Sequence, residues 1–299
     1  MADQEILEAV RAGNYRLLAR AISYIENGIK DYSDFLSGQS NSSARIIGIT
    51  GPPGAGKSTL TDQLIGQFVM QDKRVAVLCV DPSSTFHFGA LLGDRIRMSD
   101  WYNHPRVFIR SLATRGALGG LNASIFEISE LLRVVGFDYI LIETVGVGQN
   151  EIEIARLADT TVVVLAPESG DDIQGMKAGL LEVADIFVVN KSDRPDAEIF
   201  VRNLRSMLAL SAYRQHAEAP ILQTIASQKT GVSELAAAIR VHAGHDDRDR
   251  RSKLLAEQAW LLIQHQKMKY IDKGELAREI EELLGKGAFN LYSFVRRWV

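Results

Sequence analysis

Eight residues, GPPGAGKS (Gly51–Ser58), restrict this chain more than any other feature. They follow a nearly continuous apolar run, RIIGIT (Arg45–Thr50), and open a helix-like segment. That is the strand–loop–helix context which the pattern G-x-x-x-x-G-K-[ST] requires. The glycines let backbone N–H groups curl around phosphate oxygens, and the N-terminus of the following helix adds a favourable dipole. Gly54, Ala55 and Gly56 are therefore expected to cradle phosphates. Lys57 is expected to bridge the β- and γ-phosphates, Ser58 to ligate Mg²⁺, and Thr59 to reach the α-phosphate. The plainer alternative, a glycine-rich turn without a ligand, is set aside.

Runs like the first one recur at 74–80 (RVAVLCV), 106–110 (RVFIR), 138–143 (DYILIE), 160–166 (TTVVVLA), 185–190 (DIFVVN) and 220–226 (PILQTIA). Short continuous apolar runs are what strands covered on both faces look like. Helix-like segments lie between most of them, at 57–71, 121–135, 173–184, 196–212 and 232–242. The alternation predicts an α/β fold with a doubly wound, mainly parallel sheet, in which ligands bind beyond the carboxyl ends of the strands. Residues 1–44 read as an N-terminal helical segment ending in a polar linker, LSGQSNSS (Leu36–Ser43). Residues 45–246 form the core, and 247–299 read as a C-terminal helical segment. Leu254, Leu255, Trp260, Leu261, Ile263 and Met268 in that tail form either an intrachain stripe or a dimer seam; helices appended to a complete sheet domain favour the seam.

The later run ends in NKSD (Asn190–Asp193). A carboxylate at Asp193 accepts from both N1–H and the 2-amino group of guanine, a pair that adenine lacks. Asn190 can bond the other edge of the base and neighbouring loops, while the stem of Lys191 covers the ring face. In order after a phosphate loop, N-K-x-D points to a guanine nucleotide, GTP or GDP. Further on, IASQKTG (225–231) resembles the weaker base-contacting loop of GTPases, with Ala226 as its backbone contact. Magnesium wants hard oxygen ligands. Asp81 and Glu143 end apolar runs and Asp94 lies in LLGDRIRM, so these three join Ser58 as the candidate metal shell; for each, a helix-capping role is the plainer alternative.

The 299 residues carry a net charge of −3, which gives no global pull toward nucleic acid or an anionic membrane. The single cysteine, Cys79, sits inside an apolar run and is expected to pack rather than react. With no transmembrane run and no signal-peptide pattern at MADQEILEAV, the expected setting is the cytoplasm.

GPPGAGKST, VDPSS, GDRIRM, RGALGG, ETVGVGQNE, GDDIQGMKAG and NKSD occur in the order seen in the MeaB/ArgK family, the methylmalonyl-CoA mutase-associated GTPases of the SIMIBI class. The resemblance covers essentially the whole chain. It implies a homodimeric, metallochaperone-like GTPase that controls cofactor loading and protection of an adenosylcobalamin-dependent acyl-CoA mutase. It also implies nucleotide-responsive switches over roughly 81–97, 144–156 and 168–177, with Asp171, Asp172 and Lys177 relaying state to the partner; the plainer alternative for the last is a strand-to-helix loop with acidic N-cap residues. Arg115 is left between a phosphate contact, a partner contact and an ordinary surface arginine.

Lys57, Glu143 and Gly146 are the residues expected to serve hydrolysis, Gly146 by meeting the γ-phosphate through its backbone N–H. Ras-like proteins place a water-positioning glutamine directly after that glycine, whereas this chain has Val147. Gln149 is not read as that glutamine displaced. Hydrolysis is therefore expected to be slow alone and faster with the partner. Two rivals remain: an adaptor GTPase serving a different partner, and an ATP-dependent small-molecule kinase, against which the guanine loop argues.

Overall fold

The computed structural model describes residues 3–30, 32–39, 43–81, 98–113, 124–144, 153–167, 178–209, 219–244, 248–268, 271–287 and 289–298. Seven strands form one sheet: β1 (Arg45–Thr50), β2 (Val75–Asp81), β3 (Val107–Ala113), β4 (Tyr139–Thr144), β5 (Thr160–Leu165), β6 (Ile186–Val189) and β7 (Ile221–Gln223). Their order is β3-β2-β4-β1-β5-β6-β7, and every neighbouring pair is parallel. Each expected apolar run becomes a strand, because burial on both faces leaves no room for polar alternation.

The N-terminal helices are α1 (Asp3–Arg11), α2 (Arg16–Glu26) and α3 (Ser33–Ser37). The last of these takes up Leu36 and Ser37, so the expected linker is shorter than its composition suggests. Leu18, Ala21, Ile22 and Ile25 make the buried stripe of α2. Polar ties help secure the segment: Arg110 in β3 pairs with Glu26 at 2.6 Å, and the Tyr32 N–H donates to Glu127 at 2.8 Å.

Crossover helices follow as α4 (Lys57–Val69), α5 (Ser124–Val134), α6 (Ala178–Glu182) and α7 (Ala197–Leu208), and α8 (Val232–Gly244) comes after β7. The sheet feeds two cores by strict alternation along its strands. Val162 and Val164 of β5 join Leu60, Leu64, Ile65 and Phe68 of α4 and Leu235 and Ile239 of α8. Val163 and Leu165 instead meet Leu180 and Leu181 of α6 and Phe200, Val201 and Leu204 of α7. Cys79 belongs to the first core and is buried, as its sequence context predicts.

The described chain divides into two compact units, Met1–Leu255 and Ala256–Val299. The second is helical, with the greater part of α9 (Arg248–Met268), then α10 (Lys273–Gly285) and α11 (Leu291–Val295). Asp272 caps α10 by accepting from the Glu275 N–H at 2.8 Å, and Asn290 caps α11 through the Ser293 N–H at 3.0 Å. Among the described residues no helix is long and apolar enough to cross a membrane.

Candidate nucleotide-binding site

The carboxyl ends of β4, β1, β6 and β7 gather the candidate residues at one rim of the sheet. β1 ends at Thr50, and the chain turns at once through Gly51 with φ 137°. A Cβ at Gly51 would overlap the carbonyl oxygen of Val164 in β5, so the turn accepts only glycine. Gly56, at φ 91°, then caps α4 in the left-handed region. A side chain there would overlap Nδ2 of Asn190. The loop is thus bent by two residues that have nothing to collide with.

Lys57, buried, folds back along this bend. Its Nζ donates to the carbonyl of Gly51 at 2.8 Å and to that of Pro52 at 3.0 Å. An ammonium out of water needs such acceptors, and the pairing keeps its charge above the loop. Thr61 Oγ1 donates to the Lys57 carbonyl at 2.9 Å, one turn into the helix.

Ser58, also buried, donates from Oγ to Oε1 of Glu143 at 2.6 Å. A hydroxyl and a carboxylate meeting at this distance are hard oxygen donors, of the kind that suits Mg²⁺ beside a phosphate chain. The fit to that ion therefore rests on the chemistry of this pair. Asp81 ends β2, next to β4 in the sheet, but its side chain lies outside the described residues. Asp94, Arg115, Gly146, Val147, Gln149, Asp171, Asp172 and Lys177 also lie outside them.

Asn190 shows what sequence reading placed only in part. Its Nδ2 donates to the Ala55 carbonyl in the phosphate loop at 2.9 Å. Its Oδ1 accepts from Thr224 Oγ1 at 3.0 Å and from the Ala226 N–H at 3.0 Å. One buried amide thereby links three loops, and both of its polar atoms turn toward the protein. Lys191 follows with φ 57°, an unusual backbone for a side chain of its size. The turn is held by Ser192, whose N–H donates to the Thr224 carbonyl at 3.1 Å and whose Oγ donates to Val189 at 2.7 Å. Asp193 stands exposed at the end of this turn.

One contact at the rim had no sequence signal. Thr50 and Thr144 close β1 and β4, both fully buried, and Thr144 Oγ1 donates to Thr50 Oγ1 at 2.9 Å. A threonine ending an apolar run is too ordinary to mark. Trp101, in a 3-10 turn at Ser99–Trp101, was likewise unforeseen; it donates from Nε1 to Asp62 of α4 at 2.8 Å.

Residues 18–274 match the family model described as methylmalonyl Co-A mutase-associated GTPase MeaB. A Pyrococcus abyssi protein with a provisional GTPase designation is 41% identical over 290 residues, which is 95% of this chain and 88% of that one. The fused isobutyryl-CoA mutase of Cupriavidus metallidurans is 38% identical over 231 residues, 74% of this chain and 21% of the relative. A crystal structure of a LAO/AO transport system kinase covers 99% of this chain, and 96% of its own, with a TM-score of 0.64 at 24% identity, a likeness of fold. With a matching model over residues 18–274 and a fold and phosphate loop to suit it, the chain belongs to the methylmalonyl-CoA mutase-associated GTPase family, MeaB.

Proposed function

We propose that this chain is a Mg²⁺-dependent GTP-binding and GTP-hydrolysing chaperone for an adenosylcobalamin-dependent acyl-CoA mutase, controlling cofactor loading and protection of that enzyme. The observation that carries the nucleotide half is the Asn190 side chain, which joins the phosphate loop at Ala55 to the backbone of Ala226. Such a link serves a ligand with a base at one end and phosphates at the other. Asp193 then reads guanine N1–H and the 2-amino group, and Lys191 covers the ring.

The phosphate end is assigned by chemistry. Backbone N–H groups of Gly54, Ala55 and Gly56 hold phosphate oxygens, Thr59 reaches the α-phosphate, and Lys57 exchanges its loop carbonyls for phosphate oxygens. Ser58, Glu143, Asp81 and Asp94 form the metal shell. Mg²⁺ held there neutralises charge on the phosphate oxygens. With Gly146 as a backbone donor and Val147 in the following place, the chain has no side chain at that position to orient water, so turnover is slow until the partner completes the site.

The partner half rests on the family to which the chain belongs and on the mutase relative, in which a segment similar to this chain is one part of a larger polypeptide. Domains joined in one protein and separate in another commonly associate. The C-terminal helices supply the homodimer contact, and the protein works in the cytoplasm.

The test is binding and turnover side by side. GTP is expected to bind at least about tenfold tighter than ATP, and an adenosylcobalamin-dependent acyl-CoA mutase is expected to co-sediment with the chain and accelerate hydrolysis. Preferential binding of ATP sinks the guanine assignment. Failure to associate with any such mutase moves the protein to an adaptor for a different client.

A further inference from the structure

The last two residues of β4 touch the phosphate-loop element from opposite faces of the sheet. Glu143 points to the α4 side and accepts from Ser58 at 2.6 Å. Thr144, the next residue, points to the other side and donates to Thr50 at 2.9 Å. Alternation along a strand makes this inevitable, and the register Ile49↔Glu143 puts Thr50 and Thr144 side by side at the ends of β1 and β4. Thr50 is followed directly by Gly51, the first residue of the loop.

Both hydroxyls are removed from water, with relative exposures of 0% for Thr50 and 1% for Thr144. A buried hydroxyl without a partner is costly, so each fixes the other. Two apolar side chains would fill the same space without fixing a direction. The hydroxyl pair thus sets the separation of the strand ends at the point where Glu143 faces Ser58.

We propose that Thr50 and Thr144 are positioning residues for the candidate magnesium shell: their hydroxyl pair holds the end of β4 so that the Glu143 carboxylate stands against Ser58. This inference rests on the metal shell proposed above. It adds two residues that touch neither metal nor phosphate and act only through Glu143. The pair should therefore govern how much Mg²⁺ is needed for tight nucleotide binding, and not the binding of nucleotide as such.

The experiment is a Mg²⁺ titration of the equilibrium affinity for a fluorescent guanosine triphosphate, with an arm in EDTA, on the full chain. Thr144→Val is expected to raise the Mg²⁺ concentration at the midpoint by about five- to tenfold, the worth of one directed hydrogen bond, with affinity in EDTA within about twofold of wild type. Thr50→Val should do the same. The double variant should resemble either single one, since the two hydroxyls act as a unit. Thr144→Ser, which keeps the hydroxyl, should restore the wild-type midpoint. An unchanged midpoint in Thr144→Val overturns the proposal, as does an equal loss of affinity with and without Mg²⁺, or a failure of serine to rescue. If Thr144→Val does not fold, Thr50→Val and the double variant, in which no hydroxyl is stranded, decide the matter. A wild type that prefers adenosine triphosphate refutes the guanine reading separately, because the metal midpoint can be measured with whichever base binds.

Discussion

Lys57 Nζ lies 2.8 Å from the carbonyl oxygen of Gly51, the residue that opens its own loop, and 3.0 Å from that of Pro52. The ammonium is already out of water and already paired, so a phosphate chain can take it over without a fresh desolvation cost. Lys57→Ala removes a charged partner whose hydrogen bonds are each worth about 1.5–3 kcal/mol. The expected result is at least about a hundredfold loss of GTP affinity in an equilibrium titration. A loss of threefold or less would show that the lysine stays with the loop.

Asn190 makes a different prediction, because the three hydrogen bonds of its side chain are internal. Asn190→Ala strands the Thr224 hydroxyl and the Ala226 N–H in a buried setting, at about 1–3 kcal/mol for each group. Urea denaturation should show a loss of about 2–4 kcal/mol without nucleotide, and affinity for GDP and GTP should fall together. A variant with unaltered stability and a defect confined to the base would return Asn190 to a direct base contact.

Asp193 should act on identity instead. It is exposed, so Asp193→Asn leaves stability alone. The amide presents one acceptor and one donor where guanine needs two acceptors. GTP affinity should drop at least about a hundredfold, while xanthosine triphosphate, with a carbonyl at the 2-position, should gain. Competition between the two nucleotides in one titration reads the outcome. Equal losses for both would argue against a base contact at this carboxylate.

Much of this rim was legible as sequence because its signals are local. The phosphate loop needs glycine at Gly51 and Gly56 for backbone reasons alone, and both show positive φ. Strands buried on both faces announce themselves as apolar runs, and β1 through β6 did so strongly. Strand order is not a local property: nothing in Tyr139–Thr144 says that it will lie between β1 and β2. The inward turn of Asn190 Nδ2 depends on Ala55, 135 residues away. The Thr50–Thr144 pair, at 94 residues' separation, is invisible for the same reason. At β7 the run PILQTIA overstates the strand, which keeps three half-buried residues before Thr224 turns its hydroxyl toward Asn190.

Asp62 of α4 carries a pH prediction. Burial, the largest influence, raises its pKa above 3.8; the hydrogen bond from Trp101 opposes this, and the nearby charge of Asp100 adds to it. A carboxyl that holds its proton more tightly when folded contributes stability that is complete below the unfolded value and fades as pH rises through the folded one. Asp62→Asn keeps an acceptor for Trp101 but cannot ionise. Its stability relative to wild type should therefore be greater at about pH 7 than at about pH 4, as read by thermal unfolding at both values. The same difference at both pH values would mean that Asp62 titrates normally.

The C-terminal helices carry the last prediction. Leu255, Trp260, Ile263 and Met268 of α9 are 53%, 60%, 50% and 57% exposed, and Leu284 at the end of α10 is 60% exposed. Leu254 and Leu261 of α9 are half-buried. Covering such side chains is worth about 1.5–3 kcal/mol each when burial is complete, enough together to hold two chains at micromolar concentration. If a second copy of this chain covers them, Trp260→Glu with Ile263→Glu should convert a sedimenting dimer to a monomer while GTP affinity stays within about twofold, since neither residue is among the candidate nucleotide contacts. A chain ending before Asp249 should also sediment as a monomer. A dimer that survives both changes would place the subunit contact elsewhere and leave the tail's apolar residues to the mutase.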